Sequence, residues 1–406
     1  MTVFTFSFRR EVFTRSISNR LWSDYLRPQL VAQLSPFHTT DEATRAYFYR
    51  YLRFTAGEQY LSKVGRSERD HAQSHLWCRT DEEKLTDGDI ISHLHLQSFT
   101  PDDGCGYDML TFALPPLEAA EVPNFRRGDM VLFYVKESSD DNVSTRQVHK
   151  GTLLYIGRDT LRIGLRQHQH SAKVFDHAAN YALEHDVSDS ASSIPYRSLY
   201  SLLSAPEERR QLLLGATLPR TDATQHIVGH YPGEDTDDIV RTVRQAQDYA
   251  LIVGAPGAGK TSIVLRSIVE EHYHHTSDNI LLMAYTNRAV DEICQALEHI
   301  DGQPAYIRLG SEQSCDERYA SHTLTRKTAT LNTRDEGRTL IASTRIFVST
   351  VSTASARPEL FEAKRFQLTL IDEASQILEP QLIGLLATLQ SKFVLIGDHK
   401  QLPHML

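Results

Sequence analysis

The chain has 406 residues, of which 40% are hydrophobic and 23% charged, and its net charge is -9 at pH 7. That length accommodates two or three domains with their own cores, and the composition is that of a soluble globular protein, which argues against a disordered chain and a membrane protein. The negative charge gives no support for nucleic acid as a partner, so that partner has to be argued from motifs.

The sequence contains no run of roughly 18 apolar residues, and its first residues lack the apolar stretch of a signal peptide. We therefore expect a cytoplasmic protein with no membrane association. The cysteines form no C-x-x-C pair and predict buried thiols, neither a zinc site nor a disulfide framework. The clustered histidines lie in polar surroundings without carboxylates at ligand spacing, so we expect them at the surface. These residues are Cys78, Cys105, Cys294, Cys315, His93, His95, His168, His170, His272, His274 and His275.

The first part of the chain predicts helices followed by a small β domain. Apolar residues recur at helical spacing over residues 10–75, and we assign residues 1–110 to a mainly helical region of unknown function. Short β-rich runs with glycine turns then follow at 130–135, 152–156 and 160–165, a pattern typical of a small antiparallel barrel. Helical spacing returns at 195–215, so residues 111–235 are predicted to form a β-barrel with a helical stalk.

Residues 236–406 change to alternating strands and helices, the pattern of an α/β domain with a parallel sheet. Within it, a short apolar strand at 251–253, predicted to be buried, precedes a complete G-x-x-x-x-G-K-T loop that opens an apolar helix. Backbone N–H groups of such a P-loop wrap phosphates, its lysine neutralises the outer phosphates and its hydroxyl binds magnesium. The predicted nucleotide-binding residues are Gly254, Ala255, Pro256, Gly257, Ala258, Gly259, Lys260, Thr261 and Ser262.

Two further apolar strands end in polar residues. The run 368–371 is followed by Asp372 and Glu373. We predict that Asp372 binds magnesium together with Thr261, and that Glu373 is the general base for the attacking water. The run 393–396 is followed by Gly397–Pro403, where Gln401 is placed to contact the terminal phosphate.

A fourth strand, 281–285, ends in Thr286, Asn287 and Arg288 at a helix start. Small hydrogen-bond donors at such a position suit the backbone phosphates of a single nucleic-acid strand. The alternative, an N-capped helix without a ligand, remains open.

Taken in order, the segments 254–261, 286–293, 371–376 and 397–403 resemble motifs I, Ia, II and III of superfamily 1 helicases. The forms Ile371–Gln376 and Gly397–Pro403 are most similar to the 5′→3′ branch that includes the replication nuclease–helicase and the RNA helicase of nonsense-mediated decay. That family places a small barrel and a stalk before motif I, so the resemblance covers roughly residues 120–406.

The resemblance implies a RecA-like ATPase domain that uses ATP and Mg²⁺ and binds single-stranded DNA or RNA. Lys260, Glu373 and Gln401 would be catalytic, and Thr350 would join Thr286 and Asn287 at the nucleic acid. Three departures stand out. Thr236 replaces the glutamine that reads adenine, and His404 replaces a second proline after Pro403. Apart from the three departures, the nuclease site of some relatives is not evident.

The third departure concerns the second RecA-like domain, which supplies arginine fingers in the family, because the chain ends shortly after Asp398. We therefore expect a truncated helicase that binds ATP, hydrolyses it slowly and does not unwind alone, with the missing half supplied by a longer gene product or a second chain. A non-enzymatic module that binds nucleotide and nucleic acid is the alternative. A P-loop small-molecule kinase is disfavoured by the segment 397–403.

Overall fold

A computed structural model describes most of the chain. The described residues are 22–64, 79–101, 108–115, 123–165, 169, 172–186, 193–233, 235–389 and 391–401. Several predictions fall outside these ranges: the helical pattern before residue 22 and between 65 and 78, and the placements of Cys78, Cys105, His168, His170, Pro403 and His404.

The N-terminal part is helical, as its spacing predicts. A π-helical turn, Trp22–Leu26, leads into α1 (Arg27–Thr39), and α2 (Glu42–Val64) follows. The side of α2 that carries Phe48 packs on the stalk, and the Tyr47 and Tyr51 hydroxyls both donate to the Glu379 carboxylate of the motor domain.

A closed six-stranded antiparallel barrel follows and confirms the predicted small barrel. Its strands are β1 (Ile90–Thr100), β2 (Met109–Ala113), β3 (Met130–Val135), β4 (His149–Ile156), β5 (Thr160–Leu165) and β6 (Asn180–His185). The order around the barrel is β1-β2-β5-β4-β3-β6. Inward side chains such as Leu94, Phe112 and Phe133 fill its interior and are fully buried.

The predicted boundary between residues 110 and 111 is wrong, because it falls inside β2. β1 was assigned to the helical region although its residues alternate between the two faces of a strand. His93 and His95 are exposed, while Leu94 and Leu96 point into the barrel core. The short helix α3 (Asp81–Thr86) also packs on the barrel, where its buried Lys84 pairs with Glu184 of β6 at 2.8 Å.

Two helices form the stalk between the barrel and the motor domain, as the spacing at 195–215 predicts. They are α4 (Ser193–Ser204) and α5 (Glu207–Leu213). The stalk fits closely on helix α13 (Glu379–Leu389) of the motor domain, where the Gly384 N–H donates to the Ser198 hydroxyl at 2.8 Å. From α5, the Arg209 guanidinium donates to the carbonyls of Leu386 and Ser391.

The motor domain is built on a six-stranded parallel sheet, which confirms the predicted α/β class. Its strands are β7 (Tyr249–Val253), β8 (Ile280–Ala284), β9 (Tyr306–Arg308), β10 (Ile346–Thr350), β11 (Leu368–Ile371) and β12 (Lys392–Gly397). The order is β7-β12-β11-β8-β10-β9, and every neighbouring pair is parallel. The strands that precede motifs I, III, II and Ia are therefore neighbours in that order.

Helices cover both faces of this sheet. Besides α13, they are α6 (Thr236–Gln245), α7 (Arg266–His275), α8 (Asn287–Glu298), α9 (Leu324–Thr328), α10 (Arg334–Ser343), α11 (Val351–Ser355) and α12 (Glu359–Ala363). A π-helical turn, Lys260–Leu265, runs directly into α7. None of the helices among the described residues combines the length and apolar character needed to span a bilayer.

Two predictions of burial are wrong in this domain. β7 is an edge strand, and its Leu251 and Val253 side chains are 62% and 63% exposed rather than buried. His272 is not at the surface: it is 1% exposed on the sheet side of α7 and bonds to Asp278 at 2.8 Å. Burial lowers the pKa of His272, so the neutral ring is favoured in this position.

Substituting Gly384 with alanine is predicted to destabilise the joint between stalk and motor domain. A Cβ at this position would lie 2.1 Å from the Ser198 carbonyl oxygen and 2.3 Å from the Ser198 Cα, and backbone atoms cannot move aside cheaply. We expect a loss of about 1–3 kcal/mol, seen as a lower thermal unfolding midpoint.

Gly337→Ala is the matched control, because Gly337 also lies inside a helix but a Cβ there meets nothing within 4 Å. It should leave the midpoint unchanged or raise it, since alanine favours helices over glycine by up to about 1 kcal/mol. Equal midpoints for the two variants would contradict the close packing of α13 on α4.

Candidate functional site

The glycine loop 254–259 joins the end of β7 to the π-helical turn. Gly257 and Gly259 both have a φ of +75°, a left-handed conformation that glycine adopts without steric cost. The Lys260 ammonium folds into the loop and donates to the carbonyls of Gly254 and Ala255 at 2.9 and 3.1 Å. The loop thus encloses the Lys260 ammonium. This cation and the backbone N–H groups of the loop lie together at the start of a helix.

The loop and the motif II acids meet directly. The Thr261 hydroxyl donates to the Asp372 carboxylate at 2.5 Å, although the two residues are 111 positions apart. Asp372 is 1% exposed at the end of β11, where burial raises the pKa of its carboxyl above the ordinary value. The hydrogen bond from Thr261 and the charge of Lys260 oppose that rise. A hydroxyl and a carboxylate that already touch form an oxygen donor set of the kind that magnesium prefers.

Glu373 is held in an unusual conformation next to this contact. Its φ of +51° lies in the left-handed region, which is uncommon for a residue with a side chain and is found mostly at functional sites. The Gln376 amide donates to its carboxylate at 3.0 Å. The carboxylate is thereby oriented while it stays half-buried, next to the phosphate loop.

The strand β12 lies between β7 and β11 and brings motif III to the same edge of the sheet. The Asp398 N–H donates to the Ser375 hydroxyl at 3.2 Å, and the Gly254 N–H donates to the Gly397 carbonyl at 3.1 Å. Motif III is therefore bonded to motif II on one side and to the glycine loop on the other.

These segments line one open cavity of about 670 Å³. Its lining residues are Pro256, Gly257, Gly259, Lys260, Thr261, Ser262, Arg266, Glu292, Gln295, Ala296, His299, Glu373 and Gln401. The structure thus brings together Lys260, Glu373 and Gln401 from three separate motifs. The carboxyl edge of a parallel sheet is the usual ligand position in α/β proteins.

Five of the lining residues carry no sequence prediction. Arg266 lies at the start of α7, while Glu292, Gln295, Ala296 and His299 follow one another along α8 and its C-terminal end. A signal was present for the second group, because polar residues at 292, 295 and 299 recur at helical spacing on one face.

Thr286 and Thr350 lie at the same edge, at the ends of β8 and β10. Each hydroxyl caps a helix: Thr286 accepts from the Ala289 N–H and Thr350 from the Thr353 N–H, both at 3.1 Å. The capped-helix interpretation therefore holds for Thr286 as a structural role. Asn287 is exposed.

Asn287 lines a second cavity, of about 730 Å³, between α8 and the barrel turn at 127–129. Glu292 and Gln295 line this cavity and the phosphate-loop cavity as well.

Thr236 is buried at the start of α6, and its hydroxyl donates to the Pro232 carbonyl at 2.9 Å. Its hydrogen-bonding capacity is therefore used within its own loop. Of the predicted buried thiols, Cys294 is buried in the core and Cys315 is half-buried.

Comparison with known proteins agrees with the motifs. A family model described as an AAA domain matches residues 233–336 and 316–406. The DNA replication ATP-dependent helicase/nuclease of Xenopus laevis is 25% identical over 97% of this chain and 37% of its own length. The enzyme of the same name from Schizosaccharomyces pombe is 34% identical over 42% of this chain and 12% of its own length.

Among solved structures, the UvsW helicase from bacteriophage T4 matches 48% of this chain and 61% of that chain, with 15% identity and a TM-score of 0.30. The chain spans little more than a third of the Xenopus relative. The matched regions and the order of the four motifs make residues 233–406 similar to the helicase part of these DNA replication helicase/nucleases.

Proposed function

We propose that this chain contains the ATP-binding motor domain of an ATP-dependent helicase that, as a whole protein, couples ATP hydrolysis to movement along single-stranded DNA. The observation that carries this proposal is the contact between the buried Asp372 and Thr261, which lines one cavity with Lys260, Glu373 and Gln401. The choice of DNA rests on the relatives, whose names describe DNA replication enzymes.

ATP binds with its phosphates in the glycine loop 254–259. Backbone N–H groups and the helix start surround the phosphates, and Lys260 turns from the loop carbonyls to the outer phosphates. Thr261 and Asp372 would hold a magnesium ion, which would neutralise phosphate charge. The buried Asp372 carboxylate gains from this ion, because a cation compensates the cost of burying a negative charge.

Glu373 accepts a proton from the attacking water. Its carboxylate is already oriented by Gln376, and it lines the cavity together with Gln401 from the next strand. Gln401, which lines the same cavity, contacts the terminal phosphate. Because motif III is hydrogen-bonded to both the loop and motif II, loss of that phosphate changes contacts in all three segments.

Single-stranded DNA contacts the edge formed by the ends of β8 and β10. Asn287 is exposed there and its amide is available to a phosphate, while Thr286 and Thr350 hold the starts of α8 and α11 by capping them. The two helix starts add favourable partial charge for the phosphates of a strand.

Lys260→Ala is predicted to lower the affinity for Mg·ATP by more than about 100-fold, because it removes the cation enclosed by the phosphate loop. Isothermal titration calorimetry on the full chain measures this affinity. Arg338→Ala serves as the control, since it removes a cation from an exposed position on α10 and should bind ATP as the wild type does. Equal affinity for the wild type and the Lys260 variant would refute the assignment of the phosphate site.

Glu373→Gln is predicted to leave ATP affinity within about threefold and to lower the rate of phosphate release at least about 100-fold, since a positioned base contributes that much. The substitution keeps the shape of the side chain and its hydrogen bond to Gln376. Phosphate release is measured with single-stranded DNA present. Unchanged turnover in this variant would show that Glu373 is not the base.

A further inference from the structure

The Arg266 side chain lines the phosphate-loop cavity. Its Nε is buried and makes no hydrogen bond, and the described residues give its guanidinium no ion pair. A buried nitrogen of a charged group without a partner is costly, because its hydration is lost and nothing replaces it. Such a group is expected to bind an anion that enters the same cavity.

The local backbone explains why this side chain reaches the phosphates. Residues 260–265 form a π-helical turn, which takes more residues per turn than an α-helix and puts Arg266 roughly one turn after Thr261 and Ser262. Helical side chains also lean towards the start of their helix. The guanidinium is therefore directed back towards Ser262, which also lines the cavity.

Two carboxylates line the cavity, Glu373 and Glu292, and neither pairs with Arg266; Glu373 accepts from the Gln376 amide. Glu292 of α8 lines the cavity but pairs with Arg288, its neighbour one turn earlier, at 3.4 Å. The other polar wall residues are Gln295 and His299, and His299 bonds to the Gln295 carbonyl at 2.7 Å. An internal salt bridge to these residues therefore does not explain the orientation of Arg266.

We propose that Arg266 binds the terminal phosphate of the bound nucleoside triphosphate and acts as a second cation beside Lys260. The inference rests on the proposed function, since it assigns a further residue to the same site. The glycine loop surrounds the inner phosphates and Lys260 reaches the outer ones, whereas Glu373 and Gln401 mark the part of the cavity where the terminal phosphate lies. Arg266 lines the cavity together with these two residues.

The consequence is a specific selectivity for triphosphate over diphosphate. A charge-assisted hydrogen bond from a guanidinium to phosphate corresponds to at least about tenfold in affinity. Removing Arg266 should therefore lower the affinity for ATP about tenfold or more and change the affinity for ADP less than about threefold. Loss of Lys260, in contrast, weakens the binding of both nucleotides.

The test measures ATP and ADP affinities by calorimetry on the full chain for the wild type, Arg266→Gln and Arg266→Met, with Arg338→Gln as an exposed control. Thermal unfolding without nucleotide is measured alongside. Because Nε has no partner, Arg266→Met should keep or raise the unfolding midpoint, which a structural role for the arginine would lower. Both Arg266 variants should lose the preference for ATP, and the control should keep it.

Wild-type preference for ATP over ADP in the Arg266→Met variant would overturn the assignment of Arg266 while leaving the nucleotide site intact. A lower midpoint with equal losses for ATP and ADP would also overturn it. If the wild type binds neither nucleotide, the proposed function itself fails.

Discussion

The hydrogen bond between Thr261 and Asp372 connects two segments that are far apart in the sequence and defines the geometry of the candidate site. It requires that the glycine loop follow β7, that the acids follow β11, and that β12 lie between these strands. The parallel sheet meets all three conditions because its strands end at one edge. Burial of Asp372 at that edge then makes a cation favourable where the two segments meet.

Helix α8 connects this site to a second region of the molecule. Its start, capped by Thr286, lies at the edge proposed for DNA, whereas Glu292 and Gln295 line both the phosphate-loop cavity and the cavity facing the barrel. Closely packed helices move as units, because packed interiors do not deform continuously. A shift of α8 at either cavity therefore alters the wall of the other.

Local motifs predicted which residues meet at the site better than they predicted its surroundings. The glycine loop, Asp372 and Glu373 were recognisable because phosphate and metal binding demand particular residues at fixed spacing. Arg266 was not, since only the π-helical turn directs it into the cavity, and this turn has no evident signature in the sequence.

The fold also divides into features that local sequence predicts and features that it does not. The strands β3 and β5 were predicted with their observed bounds because they are short apolar runs flanked by glycine turns. β1 was missed because His93 and His95 were interpreted as a surface histidine cluster and not as the polar half of a strand alternation, which placed the barrel boundary too late. The exposure of Leu251 and the burial of His272 depend on strand order and on packing between distant segments, neither of which local pattern encodes.

The central claim is that Thr261 and Asp372 act on one magnesium–phosphate unit, and a double-mutant cycle tests it most directly. The affinity for Mg·ATP is measured for the wild type, Thr261→Val, Asp372→Asn and the double variant. Groups that share one ion should be coupled. We therefore predict that the double variant loses less binding free energy than the sum of the two single losses, by about 1 kcal/mol or more. Losses that add within about 0.5 kcal/mol would contradict a shared site.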